Sequence, residues 1–206
     1  MARALAGRVA CLSVWGLPWS ALVAGAASSL PVVAGMCARR RAGLKEAALL
    51  VRLCALHKLL GRASKEGDET VLLDEGAVFA LAKLGASGCV EKKRADGATR
   101  EQSDVWASEF VVRWASRVDA IVWLDAPDEV LARRIRERAK PHRMKHQSDD
   151  ELFEFLARYR AAYGRVLSEL SARYGVRVRS FSTEHESPER IASSVLASVR
   201  GESVTA

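Results

Sequence analysis

Hydrophobic positions change their period several times along the chain, and each change marks an expected element. From Ala42 to Leu60 the residues Leu44, Ala48, Val51, Leu53, Leu56, Leu59 and Leu60 recur at helical spacing, with Arg52, His57 and Lys58 between them. That pattern predicts an amphipathic helix, closed by a turn at Lys65 to Asp68, in which His57 is a surface or packing residue rather than a ligand. Thr70 to Phe79 (TVLLDEGAVF) then opens as a β-branched and aliphatic strand, ends in Asp74 and Glu75, and turns at Gly76 into a short helix over Ala77 to Leu84. Gly85 to Ser103 is polar and carries mixed charge, as a surface loop does. Helical spacing returns from Ser103 to Arg117 through Val105, Trp106, Phe110 and Trp114, and aromatics at i, i+4 and i+8 favour core packing over a stacking site.

The richest stretch is Ile121 to Met144. An apolar run from Ala120 to Leu124 suits a buried strand, Asp125-Ala126-Pro127 turns the chain, and Asp128 to Ala139 is helical. Pro127 opens that helix without wasting a donor, and Asp128 and Glu129 suit its positive end. Leu131 and Ile135 point to the core, which puts Arg133 and Arg136 on the solvated side. Arg134 and Arg138, also four apart, lie beside the apolar stripe, where a guanidinium reaches over a sheet edge. Two such groups would hold an anion, and phosphate fits the planar donor fork best. The competing reading is a solvated basic helix.

Lys140 to Gln147 (KPHRMKHQ) is basic and irregular, as a mobile flap would be. Asp149 or Asp150 is expected to cap a long helix with the stripe Leu152, Leu156, Tyr159, Tyr163, Val166 and Leu170, ended by Gly175. Val176 to Phe181 alternates as a strand, and Ser187-Pro188-Glu189 starts a last helix on Ile191, Val195 and Val199, before a frayed tail after Gly201.

Composition adds limits. With 206 residues, 49% hydrophobic and 28% charged, the chain suits one globular domain. A net charge of +7 implies anionic partners, but 6% aromatics leave too little interleaving for a single-strand stacking platform. Cys11, Cys37, Cys54 and Cys89 show no paired spacing, so reduced thiols in a cytoplasmic protein are expected. Val9 to Ala38 holds no charged residue. It reads either as a signal or membrane anchor, against which Pro18, Pro31, three glycines and four serines count, or as a buried strand over Val9 to Trp15 followed by small-residue helical segments.

From Asp74 onward, the order of parts resembles the P-loop nucleoside and nucleotide kinases, the group of thymidylate kinase and the deoxynucleoside kinases. The matching residues are Leu72-Leu73-Asp74-Glu75-Gly76, Val122-Trp123-Leu124-Asp125-Ala126-Pro127, Arg134-Ile135 with Arg138, the tyrosine-bearing helix, and Ser182-Thr183 after the last strand. The resemblance covers about the last two thirds of the chain, and its most specific piece is L-D-A-P followed by R-I-x-x-R. It implies an α/β three-layer P-loop domain with a parallel sheet, a lid over residues 128–148, and magnesium-ATP phosphotransfer to a nucleoside, nucleotide or similar small hydroxyl acceptor. Asp74 and Glu75 would serve Mg2+ or act as base, Arg134, Arg138 and Arg143 would neutralise phosphates, and Ser182 and Thr183 would contact adenine. The implied partner is a small-molecule acceptor rather than nucleic acid, and the resemblance allows a homodimer.

One part departs from the family. No G-x-x-x-x-G-K-[ST] occurs in the chain, so the phosphate-cradling loop and its preceding strand are missing or altered. Either Met1 to Arg8 resembles the helix that follows that loop, with the true start upstream, or Val9 to Ser20 is a decayed strand and loop. Both lead to the same expectation: a sheet perturbed at its first strand, weak ATP binding, and phosphotransfer near background. A non-catalytic nucleotide or polyanion binder, and a protein anchored through residues 9–38, are the alternatives.

Overall fold

A computed structural model describes residues 9–40, 44–66, 70–86 and 111–199. Its elements are β1 (Val9–Ser13), α1 (Trp19–Arg40), α2 (Leu44–Glu66), β2 (Thr70–Asp74), α3 (Ala77–Ala86), a helical stretch α4 over residues 111–115, β3 (Ala120–Asp125), α5 (Asp128–Glu137), α6 (Asp149–Tyr174), β4 (Arg177–Ser182) and α7 (Pro188–Val199). The fold is α/β with parallel strands. β1 pairs with β2 from Val9 opposite Thr70 to Ser13 opposite Asp74, and β3 pairs with β4 from Ala120 opposite Arg177 to Asp125 opposite Ser182. Parallel neighbours need long crossovers, and α1 with α2 supplies the first while α5 and α6 supply the second. Among the described residues the strands form two separate two-stranded sheets, with no pairing between β2 and β3.

One core nevertheless serves both sheets. Val14, Leu53 and Leu56 from the first half pack in the same cluster as Trp114, Ile121, Val166, Leu170 and Val176. A second cluster, Ala132, Met144, Leu152, Phe155 and Leu156, fastens α5 and the segment after it to α6. Ala82 and Ala86 of α3 meet Ala162 of α6, small side chains that let these helices approach closely. Gly25 does the same for α1 and α2, since a Cβ there would sit 2.5 Å from the Ala55 Cβ and 2.6 Å from its Cα.

Several boundaries differ from expectation. β1 stops at Ser13, and Trp15, expected inside a buried strand, is 45% exposed in the turn that follows. The uncharged stretch becomes that strand, a turn and most of α1, and among the described residues no helix is long and apolar enough to cross a membrane. α2 runs on to Glu66, and Leu49 and Leu50 are buried while Ala48 is exposed, so its apolar face is rotated from the stripe read in the sequence. α6 is capped by Ser148, not by Asp149 or Asp150. The Ser148 hydroxyl accepts from the Glu151 N–H, and the Glu151 carboxylate accepts from the Ser148 N–H, which satisfies two end donors reciprocally. Gly175 closes the helix at φ 68°, a left-handed conformation suited to glycine. Cys11 and Cys54 are free thiols. Gly85 and Ala86, expected in a loop running to Ser103, instead lie in α3; the rest of that loop, Trp106 and Phe110 of the helix expected after it, and the tail after Gly201 lie outside the described residues.

Candidate functional site

In parallel sheets, polar groups gathered at the carboxyl ends of the strands are the natural ligand positions. At the end of β3, Asp125 is tied on every side. Its Oδ1 accepts the Ala126 N–H at 2.9 Å, its Oδ2 accepts Arg160 Nη1 at 2.5 Å, and its carbonyl accepts both the N–H and the hydroxyl of Thr183, at 2.8 and 3.1 Å. Arg160, reaching in from α6, also donates to the Ala126 carbonyl at 3.0 Å and to Asp128 Oδ1 at 2.6 Å. The hydrogen bond to Asp128 holds the Arg160 guanidinium above its ordinary pKa, with Asp125 adding attraction against the opposing effect of burial. Arg160 thus pins the strand end, the turn and the first residue of α5 together.

Beside this clamp is a cavity of about 360 Å³ lined by Trp123, Asp125, Ala126, Pro127, Arg160, Phe181 and two serines of β4. Trp123 packs on Tyr163 with ring centroids 4.7 Å apart. Burial, then the charges of Tyr159 and Glu75, push the Tyr163 hydroxyl up to about 12. Glu75 therefore lies within electrostatic reach of the β3/β4 half, although it follows β2.

The residues expected to act are arranged as follows. Arg134 does reach over the sheet edge, to Thr183, donating to its hydroxyl at 2.7 Å and its carbonyl at 2.8 Å. Ser182 N–H donates to Glu186 Oε1 at 3.1 Å, which tightens the same loop. Arg134, Ser182 and Thr183 therefore form one unit. Arg138 is not stacked on Arg134 along a helix, because α5 ends at Glu137 and Arg138 is its extended C-cap. Arg143 lies over the Phe155 ring, 5.1 Å from the centroid. Asp74 and Glu75 are exposed at the end of β2, with Glu75 at φ 47°. None of the ion pairs among the described residues joins them to Arg134, Arg138 or Arg143.

Arg136, expected to be merely solvated, pairs with Asp149 and donates to the carbonyls of Lys145 and Gln147 at 3.3 and 3.2 Å. Lys145 Nζ returns a hydrogen bond to the Arg138 carbonyl at 2.8 Å, and Met144 is buried against Phe155 and Leu156. The segment expected to be a mobile flap is thus fastened along its length. His142, edge-on to Phe155, has its pKa lowered by burial and then by Arg138 and Arg143.

The carboxyl end of β1 carries a different cluster. Arg52 Nη1 donates to the carbonyls of Val14 and Trp15, both at 3.3 Å, and its Cζ lies 5.3 Å from the Trp15 ring centroid. Lys83 Nζ lies 4.8 Å from the same ring and 5.4 Å from that of Phe79. Sequence reading missed both this cluster and Arg160. The one available signal for Arg160 was a charge lodged between Tyr159 and Tyr163 in an otherwise apolar stripe.

Comparisons with protein-family models, with curated proteins and with solved structures returned no match.

Proposed function

We propose that the chain is a P-loop-kinase-like phosphotransferase acting from ATP on a nucleoside, nucleotide or similar small hydroxyl acceptor, weakly active as these 206 residues stand. The observation that carries the reading is the joint at one strand edge: parallel β3 and β4 present Asp125 beside Ser182, and Arg134 of α5 crosses to Thr183. On this reading Ser182 and Thr183 border the adenine, and Arg134 sets the shape of their loop. Arg138 and Arg143 are the cations left for phosphate. Asp74 and Glu75, two exposed carboxylates, fit a hydrated Mg2+, which takes one or two carboxylates and completes its shell with water and phosphate. One of them would take the acceptor's hydroxyl proton. Positioned charge of this kind supplies most of the catalysis in phosphoryl transfer.

The limiting feature is the missing G-x-x-x-x-G-K-[ST], whose backbone donors would cradle the phosphates. Titration calorimetry with ATP, with and without Mg2+, combined with transfer from γ-labelled ATP to a nucleoside and nucleotide panel, tests the reading. Weak magnesium-dependent binding is expected, with slow transfer close to background. Arg134→Ala should lower the rate of that transfer at least about tenfold through loss of its charge-assisted contacts. No ATP binding at millimolar concentration sinks the reading, and an unchanged rate removes Arg134 from the site.

A non-catalytic nucleotide binder is the second reading. The closure of Arg134 and Arg160 on protein partners favours it, because it removes two cations from phosphate contact. ATP binding with no transfer above background would select it.

A further inference from the structure

α1 has one side that the fold covers and one that it does not. Leu22 packs against the shared core, and Gly25 is buried against Ala55 of α2. On the other side Trp19 is 82% exposed, Val23 65% and Leu30 60%, and Ala27 and Ala34 are exposed with them. These positions recur at i, i+4, i+8, i+11 and i+15, so they form one apolar stripe about 22 Å long. No charge interrupts it, because the chain has no charged residue from Val9 to Ala38. Single exposed apolar side chains are ordinary in water, but a continuous row along a helix marks a surface that something covers.

The charge around the stripe identifies the cover. From Trp19 to Glu66 the α1–α2 hairpin carries eight Lys or Arg and two Glu, which is +6 of the chain's net +7. Lys58 of α2 borders the stripe, with its Nζ donating to the Ala24 carbonyl at 3.1 Å, and Arg52 lies over the ring of Trp15 just before α1. Among the described residues neither cation is in an ion pair. An apolar row that begins with an exposed indole and lies in a basic hairpin matches an anionic lipid surface. There the row enters the acyl boundary, the indole sits at headgroup depth and the cations meet lipid phosphates. A nucleic acid would compensate the charge but leave the row in water. A second copy would cover the row, but a two-fold contact brings the same positive hairpin against itself.

We propose that α1 lies in the plane of an anionic membrane surface, with Trp19, Val23, Ala27, Leu30 and Ala34 turned into it, and docks the protein there without spanning the bilayer. In a free interfacial helix a charged face looks back to water; here α2 covers that side of α1 instead. The docking does not depend on ATP binding or phosphotransfer.

Flotation of the full chain with vesicles of phosphatidylcholine, alone or mixed with phosphatidylserine, tests this. Affinity for the mixed vesicles should exceed that for phosphatidylcholine at least about tenfold and should fall with added salt. Val23→Glu and Leu30→Glu each place a carboxylate in the stripe and should each lower that affinity at least about tenfold. Trp19→Ala, which adds no charge, should weaken it as well, whereas Leu196→Glu, at an exposed position of α7, should leave it unchanged. Circular dichroism checks that each variant is folded. No binding to the mixed vesicles, equal affinity for both kinds of vesicle, or an affinity insensitive to all three α1 variants overturns the proposal. Sedimentation velocity without lipid should show a monomer; a dimer that Val23→Glu dissociates overturns it in favour of self-association through α1.

Discussion

The two parallel strand pairs end in opposite ways. At the carboxyl edge of β3 and β4 the two arginines that reach the edge are closed on partners: Arg160 on Asp125 and Asp128, and Arg134 on Thr183. At the edge of β1 and β2 Arg52 is held by the carbonyls of Val14 and Trp15, but Asp74 and Glu75 are exposed and Lys83, among the described residues, meets aromatic rings only. A closed edge fixes geometry at the expense of binding capacity. An open edge keeps its capacity, but its side chains must be ordered when a ligand arrives. The second half of the molecule therefore looks like a finished mount, and the first like the place where a charged ligand changes most.

This contrast can be broken most forcefully at the core both halves share. Trp114 is 1% exposed in the cluster that contains residues of both. Trp114→Ala should cost about 3 to 5 kcal/mol, measured by urea denaturation. One cooperative transition is expected in both proteins; two transitions would mean that the halves fold separately and are compared wrongly as parts of one body.

Next in size is the clamp. Arg160 has a side chain 39% exposed, so its ion pairs with Asp125 and Asp128 are partly screened. Discounted for that exposure, Arg160→Ala should cost about 2 kcal/mol. An unmoved denaturation midpoint would make the closed edge energetically equivalent to the open one. Ser148→Ala removes half of the α6 capping box and should cost about 1 kcal/mol by the same measurement. That loss should not alter the midpoint shift produced by Arg160→Ala, since the two sites share no partner.

The smallest effect is pH dependence. Burial lowers the pKa of His57, whose Nε2 meets the Arg113 carbonyl and whose ring is edge-on to Trp114, and burial does the same to His142. Both groups bind a proton more readily unfolded than folded. Their contribution is therefore constant above the unfolded value near 6.5 and falls as pH drops from there through the depressed folded values. Urea midpoints between neutral and mildly acidic pH should decline, and the decline should shrink in His57→Gln and in His142→Gln. A decline unchanged in both variants would assign it to carboxylates instead.

Local chemistry was readable along the chain wherever one element carried its own signal. The strand Thr70–Asp74, the turn into α3, the β3-turn-α5 unit with Pro127 at its helix entry, the apolar stripe of α6 and its stop at Gly175 all follow from period, caps and turn residues. The α/β class with parallel strands was what the family resemblance implied, and the strand pairs show it. Partners across the fold did not follow, because a guanidinium six or seven bonds from the backbone is aimed by whatever acceptor folding brings within reach. The wheel position of Arg134 was legible, but Thr183 as its partner was not, and Arg136 looked solvated until Asp149 and two carbonyls returned beside it. The sequence alone determined the three later strands and which ends carry acids, while the strand at Val9–Ser13 stood against an anchor reading. Only the tertiary structure decided that one edge is closed by Arg160 and the other left open around Trp15, since that depends on which helix packs over which strand end.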